Sequence, residues 1–80
     1  MIERFMKYYE ECHSVKLSLQ LNIEHDSCCG WHIFIVHGDS NTIIFNEDAC
    51  SINLLCARAY IALENWASNF SELEDIENNL

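Results

Sequence analysis

Residues 14–37 read SVKLSLQLNIEHDSCCGWHIFIVH, and the way this stretch folds decides the architecture. Its first ten residues alternate without a break, with Val15, Leu17, Leu19, Leu21 and Ile23 on one side and Ser14, Lys16, Ser18, Gln20 and Asn22 on the other. A period of two sends successive side chains to opposite faces, so residues 14–23 predict a strand with one buried and one wet face. The polar run EHDSCCG, closed by Gly30, predicts a hairpin loop. In WHIFIVH, Trp31, Ile33 and Ile35 share one face while Phe34 and Val36 take the other. A strand apolar on both faces belongs at the centre of a sheet.

Working outward, GDSN (residues 38–41) predicts a second turn, because Gly and Asn tolerate φ > 0. TIIF (42–45) then predicts a short third strand. Upstream, Ile2, Phe5, Met6 and Tyr9 lie on one helical face, with Glu3, Arg4, Lys7 and Glu10 off it, so residues 2–12 predict a short amphipathic helix.

From Asn46 the period becomes helical. Asn46 is the expected N-cap, with Glu47 and Asp48 in a first turn where the helix dipole favours anions. Ile52, Leu55, Cys56, Ala59, Leu63, Trp66, Ala67 and Phe70 recur at steps of three and four. A helix of about 20 residues, roughly 30 Å, is expected. A second stripe, Cys50, Leu54, Ala57 and Ile61, leaves a narrow polar seam of Ser51, Arg58, Asn65 and Asn69. Such a helix needs cover on more than one side, from the first helix or from another chain. Ser71 stands three residues before Glu74, a capping-box pattern, and Leu73, Ile76 and Leu80 are spaced for a last short helix.

The expected fold is therefore α+β, a three-stranded antiparallel β-meander packed against a long helix, with a short N-terminal helix and a short C-terminal acidic helix. Eighty residues make one domain, 1–80, with a modest core.

Thirteen acids against Arg4, Lys7, Lys16 and Arg58 give a formal charge of −9. Nucleic-acid binding needs clustered cations to displace phosphate counterions, so direct binding is not expected. An anionic surface instead speeds association with a basic partner. The charged start MIERFMKYYEE lacks the apolar run of a signal peptide, so a soluble, cytoplasmic protein with reduced thiols is expected, in a host bacterial cell on the functional reading given below. No stretch approaches the roughly 18 apolar residues of a membrane span.

Each candidate chemistry has an unremarkable alternative. Cys28 or Cys29 with His32 approximates one zinc-ligand pair, to which Cys12, His13, His25 or His37 would have to be added by folding. No clean second pair exists, so loop cysteines and strand histidines are expected, with no metal or cofactor. Cys12 beside His13 is the nearest approach to a thiol nucleophile and base, but neighbours on a helix or strand point apart. Cys50 and Cys56 lie on apolar stripes, where Cys acts as a small hydrophobe. Phosphate-cradling glycine loops, serine elbows and HExxH are missing, and no enzyme activity is expected.

The acids are the remaining signal. Glu72, Glu74, Asp75 and Glu77 crowd the last ten positions after Glu64, Glu47 and Asp48 open the expected long helix, and Asp26 and Asp39 lie in the loops. Their ordinary role is a solvated face that keeps the chain soluble. Their functional role would be to stand in for phosphates in a Lys- and Arg-lined groove.

On these features the chain resembles phage-encoded anti-CRISPR proteins that imitate DNA. The order SVKLSLQLNI, WHIFIVH, TIIF, then NEDACSINLLCARAYIALENW and the acidic SELEDIE is similar to the β-β-β-α-α order of one such inhibitor of a CRISPR effector nuclease, and VKLS at 15–18 matches in place. The five cysteines and the nearly all-round apolar helix depart from that pattern. The resemblance implies that the acids meet Arg and Lys side chains that otherwise read DNA, such as those on a PAM duplex. Two other readings use the same residues. An immunity protein or antitoxin would neutralise a basic toxin, and a homodimeric assembly protein would pair through Leu54, Ala57 and Ile61.

Overall fold

The structure is a computed structural model that describes the backbone of residues 1–14 and 18–78 and the side chains of residues 1–13 and 18–69. Five elements follow in order: α1 (Ile2–Ser14), β1 (Leu19–Asp26), β2 (Gly30–His37), β3 (Thr42–Ala49) and α2 (Ile52–Asn78). The strands form one antiparallel sheet in the order β1-β2-β3, so β2 is central, as its two apolar faces predict. The expected strand at 14–23 sits further along the chain. Ser14 closes α1, and Val15, Lys16 and Leu17 lie outside the described residues.

The first hairpin is tighter than the seven-residue loop expected of EHDSCCG. Asp26 pairs with Gly30, leaving Ser27, Cys28 and Cys29 as the turn. Asp26 Oδ1 accepts the backbone N–H groups of Cys28 at 2.7 Å and Cys29 at 3.3 Å. A short polar side chain bonding its own turn is what makes Asp a turn former. Gly30 closes the turn at φ +88°, a conformation that costs any residue with a Cβ. In the second turn it is Asn41, at φ +54°, that takes the left-handed conformation.

β3 runs four residues beyond TIIF, because Asn46, Glu47, Asp48 and Ala49 pair with Phe34, Ile33, His32 and Trp31. A bulge interrupts the ladder: Ile35 pairs with Phe45 and Val36 with Ile43, leaving Ile44 as the extra residue. Asn46 is therefore a strand residue and not an N-cap, and Glu47 and Asp48 are not in a first helical turn. The cap is Ser51, whose Oγ accepts the Leu54 N–H at 3.2 Å. At the other end α2 is continuous through Ser71 to Asn78, so no separate C-terminal helix starts there. The side chains of Phe70 and of residues 71–80 lie outside the described residues.

One core joins both helices to one face of the sheet. Leu55, Cys56, Ala59 and Leu63 of α2 are fully buried with Ile33, Ile35 and Phe5, and Leu19, Phe45 and Cys12 complete the cluster. The α2 stripe is thus the one its spacing predicts, with Ile52, Trp66 and Ala67 packed at its edges. Of the expected α1 stripe, Phe5, Met6 and Tyr9 pack inward and Ile2 is exposed, while Tyr8 and Cys12 extend the buried face. Tyr8 meets Tyr60 at 4.8 Å between ring centres, and the Tyr9 hydroxyl donates to the Leu19 carbonyl at 3.1 Å. Neither contact covers the second stripe of α2. Leu54 and Ile61 are 48% and 59% exposed.

Candidate functional site

The register assigns every sheet residue to a face, because directly paired residues share one. Leu19, Leu21, Ile23, Trp31, Ile33, Ile35 and Phe45 face the helices, consistent with their burial. The other face is a grid of three cross-strand rows: Glu24, His32 and Asp48; Asn22, Phe34 and Asn46; Gln20, Val36 and Ile43. None of these nine residues belongs to the core or packs against it. Phe34 and Val36 are only half-buried by their neighbours, and Ile43 is 58% exposed.

Electrostatics is concentrated in the first row. His32 donates from Nδ1 to Asp48 Oδ1, and Glu24 flanks it from β1, where Asn22 Nδ2 donates to Glu24 Oε1 at 3.2 Å. The row borders an open cleft of about 360 Å³ at the hairpin end, also lined by Asp26, Cys29 and Trp31. Glu24 is a residue that sequence reasoning missed. Pairing outward from the Asp26 and Gly30 closure would have found it opposite His32.

The structure scatters the acids singled out from the sequence. Asp48 lies on the open face, and Asp26 sits at its hairpin end, occupied in part by its own turn. Glu47, one residue from Asp48, pairs opposite Ile33 and so faces the helices, where it lies 3.7 Å from Arg58 Nη1. Asp39 is in the β2–β3 turn at the far end of the sheet, accepting from Ser18 Oγ at 3.1 Å. Glu64 is exposed on α2, and its charge adds a small part to the burial that raises the Tyr8 hydroxyl. Glu72, Glu74, Asp75 and Glu77 are on α2 with side chains outside the described residues. The expectation that Glu47 and Asp48 act together on one helix is corrected, since strand alternation parts them.

The cations are distributed differently. Arg4 and Lys7 line a cleft on α1 with Tyr8, Glu11 and Tyr60, and Arg58 is on α2. Lys16 lies outside the described residues. Among the described residues, no Lys or Arg stands on the open face.

Among the described residues no three His, Cys, Asp or Glu side chains converge as metal donors. Cys28 and Cys29 are exposed in the turn, and Cys50 is exposed before α2. Cys12 is buried, and burial pushes its thiol up, outweighing a Tyr8 hydrogen bond that acts the other way. A raised thiol is the reverse of an activated nucleophile. His13 turns away to stack on Tyr9 at 6.1 Å. Burial likewise raises the Cys56 thiol, and it pushes the Tyr8 hydroxyl up to about 12. Among the described residues, no helix is long and apolar enough to cross a membrane. Comparison of the chain with protein-family models, with curated proteins and with solved structures gives no match.

Proposed function

We propose that this chain is a non-enzymatic acidic inhibitor that occupies a basic, nucleic-acid-binding site on a protein complex. The narrower reading is a phage or mobile-element protein acting on a CRISPR effector complex. The observation that carries it is the excess of acid. The chain has a formal charge of −9, and among the described residues the open sheet face carries Glu24 and Asp48 and no Lys or Arg. A field of one sign steers an oppositely charged surface into contact and is screened by salt. The four acids Glu72, Glu74, Asp75 and Glu77 count in that formal charge.

Affinity capture of the tagged chain from bacterial lysate, eluted by stepped salt, tests this. A nucleic-acid-binding complex released by about 0.5 M salt is expected. A toxin eluting instead would favour the immunity-protein reading, and a partner indifferent to salt would refute the electrostatic one. The exposed Leu54 and Ile61 on α2 support a second reading, a homodimer. Sedimentation of the chain at high concentration decides it, and a strict monomer rejects it.

A further inference from the structure

We propose that the open sheet face is the surface that docks on the basic partner, with Phe34, Val36 and Ile43 as its apolar contact and the row of Glu24, His32 and Asp48 as its charged rim. The inference rests on the reading above and adds the place on the molecule. α2 packs on the opposite face and α1 packs on α2, so nothing in the described chain covers these nine residues. Their arrangement is that of an interface: apolar side chains on the central strand and its β3 neighbour, amides beside them, carboxylates at one end. Charge selects the occupant. Among the described residues the rim offers Glu24 and Asp48 with no Lys or Arg on the face, which complements Arg or Lys set around an aliphatic or aromatic side chain of a partner protein. A second copy is disfavoured by the same feature, because a two-fold pairing of this patch with itself brings two acidic rows into one interface.

Glu47 plays no part in this contact, since it faces the helices. The apolar residues supply affinity and the rim supplies steering, so the two can be separated experimentally.

The test uses an alternating Arg-Leu heptapeptide as the probe, titrated into the isotope-labelled full chain at low salt and followed by backbone amide shifts. An Arg-Ser peptide of equal length carries the charge without the apolar side chains. Shifts centred on residues 32–36 and 43–48 are expected, with the Arg-Leu peptide about tenfold tighter than Arg-Ser. That advantage should vanish in Phe34→Ser and in Ile43→Ser. Ile43 is 58% exposed, so its replacement leaves the core intact, and unchanged α2 amides verify this. Shifts confined to α1 or α2 would overturn the assignment of this face and leave the acidic-inhibitor reading standing. Failure of both Arg peptides to bind at low salt would overturn both. Concentration-dependent broadening at residues 32–36 without peptide would give the face to a second copy and end the proposal.

Discussion

Replacing Gly30 with alanine probes the hairpin that holds the open face in register. Gly30 is at φ +88°, and a Cβ added there would lie 2.7 Å from the Ala49 carbonyl oxygen and 2.9 Å from Cys50 Cα. Both neighbours are backbone, so no side-chain rotation relieves the contact. The left-handed conformation alone costs an L-residue about 1–2 kcal/mol. Pushing the end of β3 away from β2 adds a comparable amount, for a total of about 2–4 kcal/mol. In a domain of this size that lowers Tm by roughly 8–32 °C. Gly38→Ala is the matched control, because its φ is not left-handed and its nearest contact, the Ser18 carbonyl oxygen, is at 3.3 Å. It should cost about 1 kcal/mol or less. Thermal and urea unfolding followed by circular dichroism would measure both variants. If Gly30→Ala stays within about 0.5 kcal/mol of wild type, or is no worse than Gly38→Ala, the turn geometry described here is wrong.

Other consequences can be checked on the same instrument. Ser51→Ala should cost about 1 kcal/mol through loss of the α2 cap, whereas Asn46→Ala, on an exposed strand position, should stay within about 0.5 kcal/mol; the reverse order would restore the helix start at Asn46. Leu63→Ala, fully buried, should cost about 2–5 kcal/mol, and a loss below 1 would mean that α2 is not the lid of the core. Tyr8, Tyr9, Cys12 and Cys56 are all raised above their ordinary values by burial. The unfolded chain therefore releases these protons first, so stability is intact below the ordinary thiol value of 9.0 and falls as pH rises towards the folded values. A urea midpoint that is flat across that range would contradict it. A thiol reagent should modify Cys28, Cys29 and Cys50 rapidly and Cys12 and Cys56 only on unfolding.

Strict period-two alternation over Leu19, Leu21 and Ile23, and the two-sided apolar pattern of β2, make the sheet order and its covered face legible in the sequence. The buried stripe of α2 was legible for the same reason: Leu55, Cys56, Ala59 and Leu63 recur at the helical period. The junction between sheet and helix was not. Asn46, Glu47 and Asp48 have the composition of a helix start, but their backbone is taken up by pairing with β2, and Ser51 caps instead. Ser71 followed by Glu74 has a capping pattern too, yet a helix already under way needs no new cap, and α2 runs on.

The candidate surface was only half legible. Polarity marks Gln20 and Asn22 as a wet face, but whether Asp48 joins them or faces the helices turns on register and on the Ile44 bulge. A bulge leaves little trace in a run of apolar residues. The row of Glu24, His32 and Asp48 exists because two hairpin registers coincide at His32, a long-range fact that no local pattern carries. Read from sequence, Glu47 and Asp48 sit together in the first turn of a helix; a strand puts them on opposite faces of the sheet.

The most direct measurement is displacement. The complex captured with the chain is given a fluorescent nucleic-acid duplex, and anisotropy is followed as purified chain is added. Stoichiometric release of the duplex, diminished by high salt and by Glu24→Gln with Asp48→Asn, is the predicted result. A duplex that stays bound while the chain binds alongside would contradict occupation of the basic site.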